Sequence, residues 1–254
     1  MNGAQYSNSI KPKFNAVMLS YILSGAGLAH AMLPGDLEVG MFSSAEVSES
    51  LPPDWEPLTF NKIEQHTNYS LEKAGNTVVV KAVSKQSASG LTRAVTVNPA
   101  EYPVLKWRWK VDNVLQKGDV TTKDGDDYPA RIYITFALDP DRVGYFERLK
   151  HKAATAIFGH DVPYRAISYI WGSNSPAGTV VANPYTDRVM MFVVESGDEK
   201  VQKWITETRN IYQDYKKAFG EEPAMISGVA IMTDTDNTKE SATAWYGDIV
   251  FTKE

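Results

Sequence analysis

The sequence predicts a mainly β protein, built as a two-sheet antiparallel β-sandwich with two helices packed outside it. Three observations predict this. Short β-branched or aromatic runs recur at 78–80, 91–97, 104–111, 130–138, 167–171, 189–194, 225–232 and 242–251. Gly, Pro, Asn and Asp separate them, as turns require. Only two stretches carry a helical period, so the succession suits stacked antiparallel sheets better than alternating strands and helices.

In chain order, residues 1–31 come first. Lys11 and Lys13 precede an apolar stretch over 16–29, which ends in Ala29-His30-Ala31 with small residues at both recognition positions. That is the order of a cleavable signal peptide, and it implies a periplasmic or secreted protein. The apolar stretch is shorter than the roughly 20 residues a membrane span needs, so no membrane span is expected after cleavage. Loss of the two leader lysines takes the net charge from −5 to −7. Such an acidic balance argues against nucleic acid, whose binders carry basic stripes. The chain has no cysteine, which removes disulfides, thiolate nucleophiles and thiolate metal sites.

Residues 32–57, with Ser43, Ser44, Ser48 and Ser50 before Leu51-Pro52-Pro53, read as an N-terminal arm or tether. Residues 58–254 form one sandwich domain, and no fixed repeat period runs through them. Within the run 104–111, Lys106-Trp107-Arg108-Trp109-Lys110 alternates across a strand, so both Trp share one face and the three cations the other. Two readings follow: a cationic platform on which Arg108 forks onto the carboxylate of an anionic glycan, or a core Trp pair beneath a solvated charged face. Arg131 and Tyr133 share a face of the next strand, and Tyr169 and Trp171 share one later. Aromatic rings beside a guanidinium suit sugar C–H faces and carboxylates, and they equally suit the middle of a sandwich.

Two segments read as helices. Over 198–219 the residues Val201, Trp204, Ile205, Thr208, Ile211, Tyr212, Tyr215 and Phe219 recur at three- and four-residue spacing. Ser196 and Glu199 have capping-box spacing, Gly220 suits the residue beyond the end, and Pro223 prevents continuation. Over 141–158, Val143, Phe146, Leu149, Ala153 and Ile157 form a stripe expected to face a sheet edge.

Acids gather in Asp124-Gly125-Asp126-Asp127 and Asp234-Thr235-Asp236-Asn237, each flanking a strand. Residues two apart in extended chain point the same way, so Asp234 and Asp236 can converge with Asp126 and Asp127 on a calcium ion if the loops meet. If they do not, each cluster caps its own turn. Catalytic signatures are absent: His66, His151 and His160 are scattered, and no nucleophile elbow, phosphate loop or dinucleotide fingerprint occurs. A lyase reading needs only Tyr133 as base and Arg131 to neutralise a uronate.

Taken in order, Ser87-Ala88-Ser89-Gly90-Leu91, Trp107-Arg108-Trp109, the stretch from Gly125-Asp126-Asp127-Tyr128-Pro129-Ala130 to Arg131-Ile132-Tyr133, Tyr169-Ile170-Trp171, Asp214-Tyr215, Phe219-Gly220 and Thr233-Asp234-Thr235-Asp236-Asn237-Thr238 form a recognisable set. The chain from about Leu51 onward resembles the bacterial family known as domain of unknown function 3047. The resemblance implies an exported protein with a jelly-roll-like sandwich similar to carbohydrate-binding modules, and it supplies no activity or functional residue. The leading expectation is therefore a non-catalytic module that binds a glycan or another polar ligand through Arg108, Arg131, Tyr133, Tyr169 and Trp171. The alternatives are a carbohydrate-active enzyme, a polysaccharide lyase or hydrolase, and a structural or interaction protein of the envelope.

Overall fold

The computed structural model describes residues 35–48, 50–158 and 163–254, apart from the side chains of 150 and 153–158. The expected signal peptide therefore lies outside the described residues, and so does His160. The elements in order are β1 (Leu37–Gly40), a 3-10 turn (Phe42–Ser44), β2 (Glu56–Leu58), β3 (Asn68–Ala74), β4 (Thr77–Lys85), β5 (Ala88–Val97), β6 (Val104–Val111) and β7 (Arg131–Phe136). There follow α1 (Tyr145–Phe158), β8 (Arg165–Gly172), β9 (Val180–Asn183), β10 (Thr186–Ser196), β11 (Ile205–Asn210), α2 (Ile211–Phe219), β12 (Ile226–Asp234) and β13 (Ser241–Thr252).

Two sheets stack face to face. One has six strands in the order β11-β6-β13-β4-β3, with β1 on the second half of β13; the other has seven, β2-β5-β12-β7-β8-β10-β9. All pairings are antiparallel except β8 with β10, which run parallel. The parallel pair arises because the chain leaves β8, forms the edge strand β9, and turns back to insert β10 between them. Such a connection needs a dozen or more residues, and the segment 173–185 supplies it.

Side-chain alternation sorts the strands into an inner and an outer face. Trp107 and Trp109 of β6 point inward, as do Tyr169 and Trp171 of β8, and all four are sealed from solvent. The Trp107 and Tyr169 rings stack with centroids 5.2 Å apart, while Trp109 meets Trp171 at 6.0 Å. Burial of this size and offset ring geometry make the four a central prop between the sheets. A smaller apolar cluster of Val120, Tyr128, Ile170, Met191 and Val193 lies on the outer side of the seven-stranded sheet, where the long loop before β7 covers it.

The arm contributes to the sandwich directly. β1 pairs with β13 and β2 with β5, Phe42 and Trp55 are buried with their centroids 5.4 Å apart, and the Ser43 hydroxyl donates to Asp248 at 2.6 Å.

Two helical expectations are corrected. The segment 198–219 is half strand: a turn with Gln202 at φ 63° leads into β11, and α2 starts only at Ile211. The residues Thr206 and Thr208 favour extended chain, and β11 gains a full ladder with β6. The working N-cap is Asn210, whose side chain accepts from Gln213 N at 2.9 Å, in place of the Ser196 capping box. Gly220 does end the helix, in the left-handed conformation at φ 72°. In α1, Phe146 and Leu149 are 76% and 51% exposed, so the expected stripe does not pack on a sheet edge there.

Candidate functional site

β7 and β12 are antiparallel neighbours with Arg131 opposite Met232, so the start of one strand meets the end of the other. The loop entering β7 carries Asp126 and Asp127, while Asp234 ends β12 and the turn leaving it carries Asp236. The two acidic loops therefore meet. The Arg131 guanidinium pairs with Asp234 and lies 3.7 Å from Asp126 Oδ1, between the rings of Tyr128 and Tyr133 at 5.0 and 5.4 Å. Asp127 Oδ2 accepts from the Thr238 backbone N at 2.6 Å and from its hydroxyl at 2.8 Å, while Asn237 Nδ2 donates to Oδ1 at 3.1 Å. Asn183 Nδ2 donates to Asp126 Oδ2 at 2.8 Å.

One guanidinium faces four carboxylates here. Carboxylate oxygens of Asp127, Asp234 and Asp236 lie within 4.8 Å of one another. Burial, reinforced by Asp127, Asp126 and Asp236, raises the Asp234 carboxyl well above its ordinary range despite Arg131. Burial and then Asp127 raise Asp236. Like charges this close favour a proton or a cation between them. Hard oxygen donors crowded in this way can hold a metal ion. Asp126 is set apart from that trio, turned to Arg131 and Asn183.

Arg131 itself is 4% exposed and committed to internal acids. Tyr133 stands beside it on the outer face of β7, half-buried, with its phenol pushed up to about 12 by burial. A general base works best with a pKa near the operating pH, so this pair is poorly tuned for a lyase step. Tyr169 and Trp171 belong to the core prop and offer no surface to a ligand; the Tyr169 hydroxyl donates to Asp214 at 2.7 Å. Their strand parity suited either face equally, and packing against Trp107 and Trp109 decided it.

Arg108 takes the other side of β6. The β13 strand bulges between Tyr246 and Ile249, and Gly247 leaves the room that Arg108 fills: a Cβ at 247 would fall 2.5 Å from Arg108 Cγ. Arg108 is buried at 8% exposure, in contrast to the outward cation expected, and its guanidinium stacks over the Trp204 ring at 4.8 Å. Register then builds a row across the outer face of the six-stranded sheet. Lys110 of β6 is opposite Trp245 of β13, and Trp245 is opposite Lys81 of β4. Trp204, immediately before β11, lies level with Lys110. Lys110 Nζ sits 3.9 Å from the Trp245 ring centroid and 5.6 Å from that of Trp204. Lys106 extends the positive strip, and Glu72 closes the far end with a 2.7 Å bond from Lys81. That bond lowers the Glu72 carboxyl below its usual range. Both Trp rings of the row are half-buried.

The ordered motifs thus fold into one strand-end cluster and one sheet centre, and a family model matches residues 53–250. The chain belongs to the family described as protein of unknown function, DUF3047. No curated protein matches it. Among solved structures, this DUF3047 chain is similar to the glycoside hydrolase domain of Endo-D from Streptococcus pneumoniae R6, at 10% identity and TM-score 0.32, covering 79% of this chain and 21% of that one. It is also similar to the cellulose induced protein Cip1, at 10% identity and TM-score 0.33, over 79% and 92% of the two chains. A third likeness is to the carbohydrate recognition domain of Emp47p, at 12% identity and TM-score 0.38, over 85% and 93%. The chain spans only about a fifth of the Endo-D chain it matches.

Trp204, Trp245 and Lys81 were missed in the sequence of this DUF3047 chain. Trp204 was absorbed into an assumed helix stripe. Trp245 alternates with Ala244 and Tyr246, which gives its face but not its partners, because cross-strand register is a long-range property.

Proposed function

We propose that this protein is an exported, non-catalytic module of the bacterial envelope that binds an anionic glycan on the outer face of its six-stranded sheet. The observation that carries the reading is the row Trp204, Lys110, Trp245 and Lys81, with Arg108 stacked beside it. Neighbouring strands are about 4.8 Å apart, so the two Trp, two strands apart, stand roughly 10 Å from each other. Rings at that spacing suit successive sugars of a chain, whose C–H faces lie on the indoles while carboxylates or sulfates meet the cations between. A positive strip on a chain of net charge −5 concentrates attraction on one face.

The acid cluster has a different role in this reading. Asp127, Asp234 and Asp236 suit calcium, whose hardness matches carboxylate oxygen, and the ion would hold the two loops together away from the glycan face.

A glycan array of acidic and neutral polysaccharides, run together with absorbance of unsaturated products, tests the function. Retention of acidic glycans without turnover is the expected result. Turnover would instead make the protein an enzyme, and silence in both assays would leave it a structural protein.

A further inference from the structure

The open side of the sandwich, where β11 ends one sheet and β9 and β10 end the other, contains a cleft of about 210 Å³. Val180, Phe192 and Val194 form one wall, Glu207 and Arg209 the other, and Lys217 of α2 stands at the mouth. Glu207 belongs to the inward set of β11, opposite Trp107, with Arg209 opposite Leu105. A carboxylate at that position is unexpected in a sandwich interior, and its Oε1 is buried without a hydrogen-bond partner. Trp109 Nε1, near enough to favour the charged form of Glu207, closes no hydrogen bond with it and is also unpartnered.

The surrounding charges are tied up in pairs. Arg209 donates from Nε and a terminal nitrogen to Asp214 at 2.9 and 2.6 Å, and Asp214 also receives the Tyr169 hydroxyl. Lys200 holds Glu195 at 2.7 Å. Lys217 is exposed at the cleft edge. The cleft thus offers a cationic mouth, a carboxyl with one oxygen unpartnered, and an apolar wall with an aromatic ring. A pocket this small is below the roughly 300–1,000 Å³ of drug-sized ligands, so it suits a single ring and not a chain.

We propose that this cleft is a second binding site, for one sugar acid of the uronate class, with its carboxylate at Lys217, a hydroxyl at Glu207 and its ring against Phe192. The site is separate from the outer sheet face and does not depend on it. Burial, then Glu195, push the Glu207 carboxyl up to about 7, with Trp109, Lys200 and Arg209 opposing. Protonated, Glu207 can donate to the ligand without repelling its carboxylate; ionised, it adds a like charge. Binding of a uronate is therefore tighter on the acid side of that value.

The test is calorimetric titration of the full mature chain with D-glucuronate, near pH 6 and near pH 8, with D-glucose as the neutral control. Glucuronate binds about tenfold or more tightly at the lower pH, and glucose binds weakly at both. Glu207→Gln levels the two pH values. Lys217→Ala, a change at an exposed residue, weakens glucuronate by about tenfold while the fold stays intact. Absence of glucuronate binding, equal binding of glucose, or an unaffected Lys217→Ala variant would each overturn the proposal.

Discussion

Arg131 is the residue whose removal the loop end of the fold tolerates least. Its guanidinium sits among Asp126, Asp234, Tyr128 and Tyr133, and its loss leaves buried carboxylates with no cation. Arg131→Ala should destabilise the protein by about 3–5 kcal/mol, the usual cost of stripping one partner from a buried ion pair. Denaturant unfolding measures this, and a change below about 1 kcal/mol would mean that the cluster is not charged as described. Strand parity correctly put Arg131 and Tyr133 on one face, but parity gives a side and not its cover. The loop carrying Val120 and Tyr128 folds over that side, and no local pattern announced it. Glu207 makes an opposite demand. Its folded pKa of about 7 lies above the ordinary 4.5, so the fold binds its proton more tightly than the unfolded chain does. The resulting stability is full below about pH 4.5 and is lost as pH rises to about 7, a loss on the order of 2–3 kcal/mol. Glu207→Gln should flatten that fall in a series of unfolding curves across this range. An unchanged slope would show that the group titrates as in water.

At the scale of elements, the strongest strands were legible from composition alone, because buried strands need β-branched and aromatic residues whatever their partners. β1, β2, β3, β9 and β11 were not. β2, β3, β9 and β11 are the end strands of the two sheets. β1 covers only half of β13, and β11 shows an inward set of Ile205, Glu207 and Arg209 in which two of three residues are charged. A helical spacing of Val201, Trp204, Ile205 and Thr208 fitted the same letters, and only pairing with β6 excludes it. The acidic loops show the reverse situation. Their residue types were readable, while their meeting followed from the pairing of β7 with β12. If calcium joins them, the protein's stability to thermal unfolding rises with added calcium, by the equivalent of about 2.7 kcal/mol at a hundredfold excess over Kd. Mutation of Asp236 to Asn, a half-buried position, should remove most of the response. No shift with calcium, and none on chelation, would leave Arg131 as the cluster's cation.

For the whole molecule, the division of labour follows from the sandwich. Its interior is fixed by the aromatic prop, one outer face is roofed by the loop before β7, and the other displays the cationic Trp row. No helix among the described residues is long and apolar enough to cross a membrane. The chemistry of that open face distinguishes it from the rest of the surface: cations sit beside half-buried rings, so aromatic faces and positive charge are presented together. The direct measurement is the affinity of one acidic oligosaccharide for the wild-type protein and for Trp245→Ala, each at low and high salt. Trp245→Ala should weaken binding about tenfold or more, about 1.4 kcal/mol, with its melting temperature nearly unchanged, and salt should weaken the wild type further. Equal affinities for the two proteins, or binding indifferent to salt, would contradict the account.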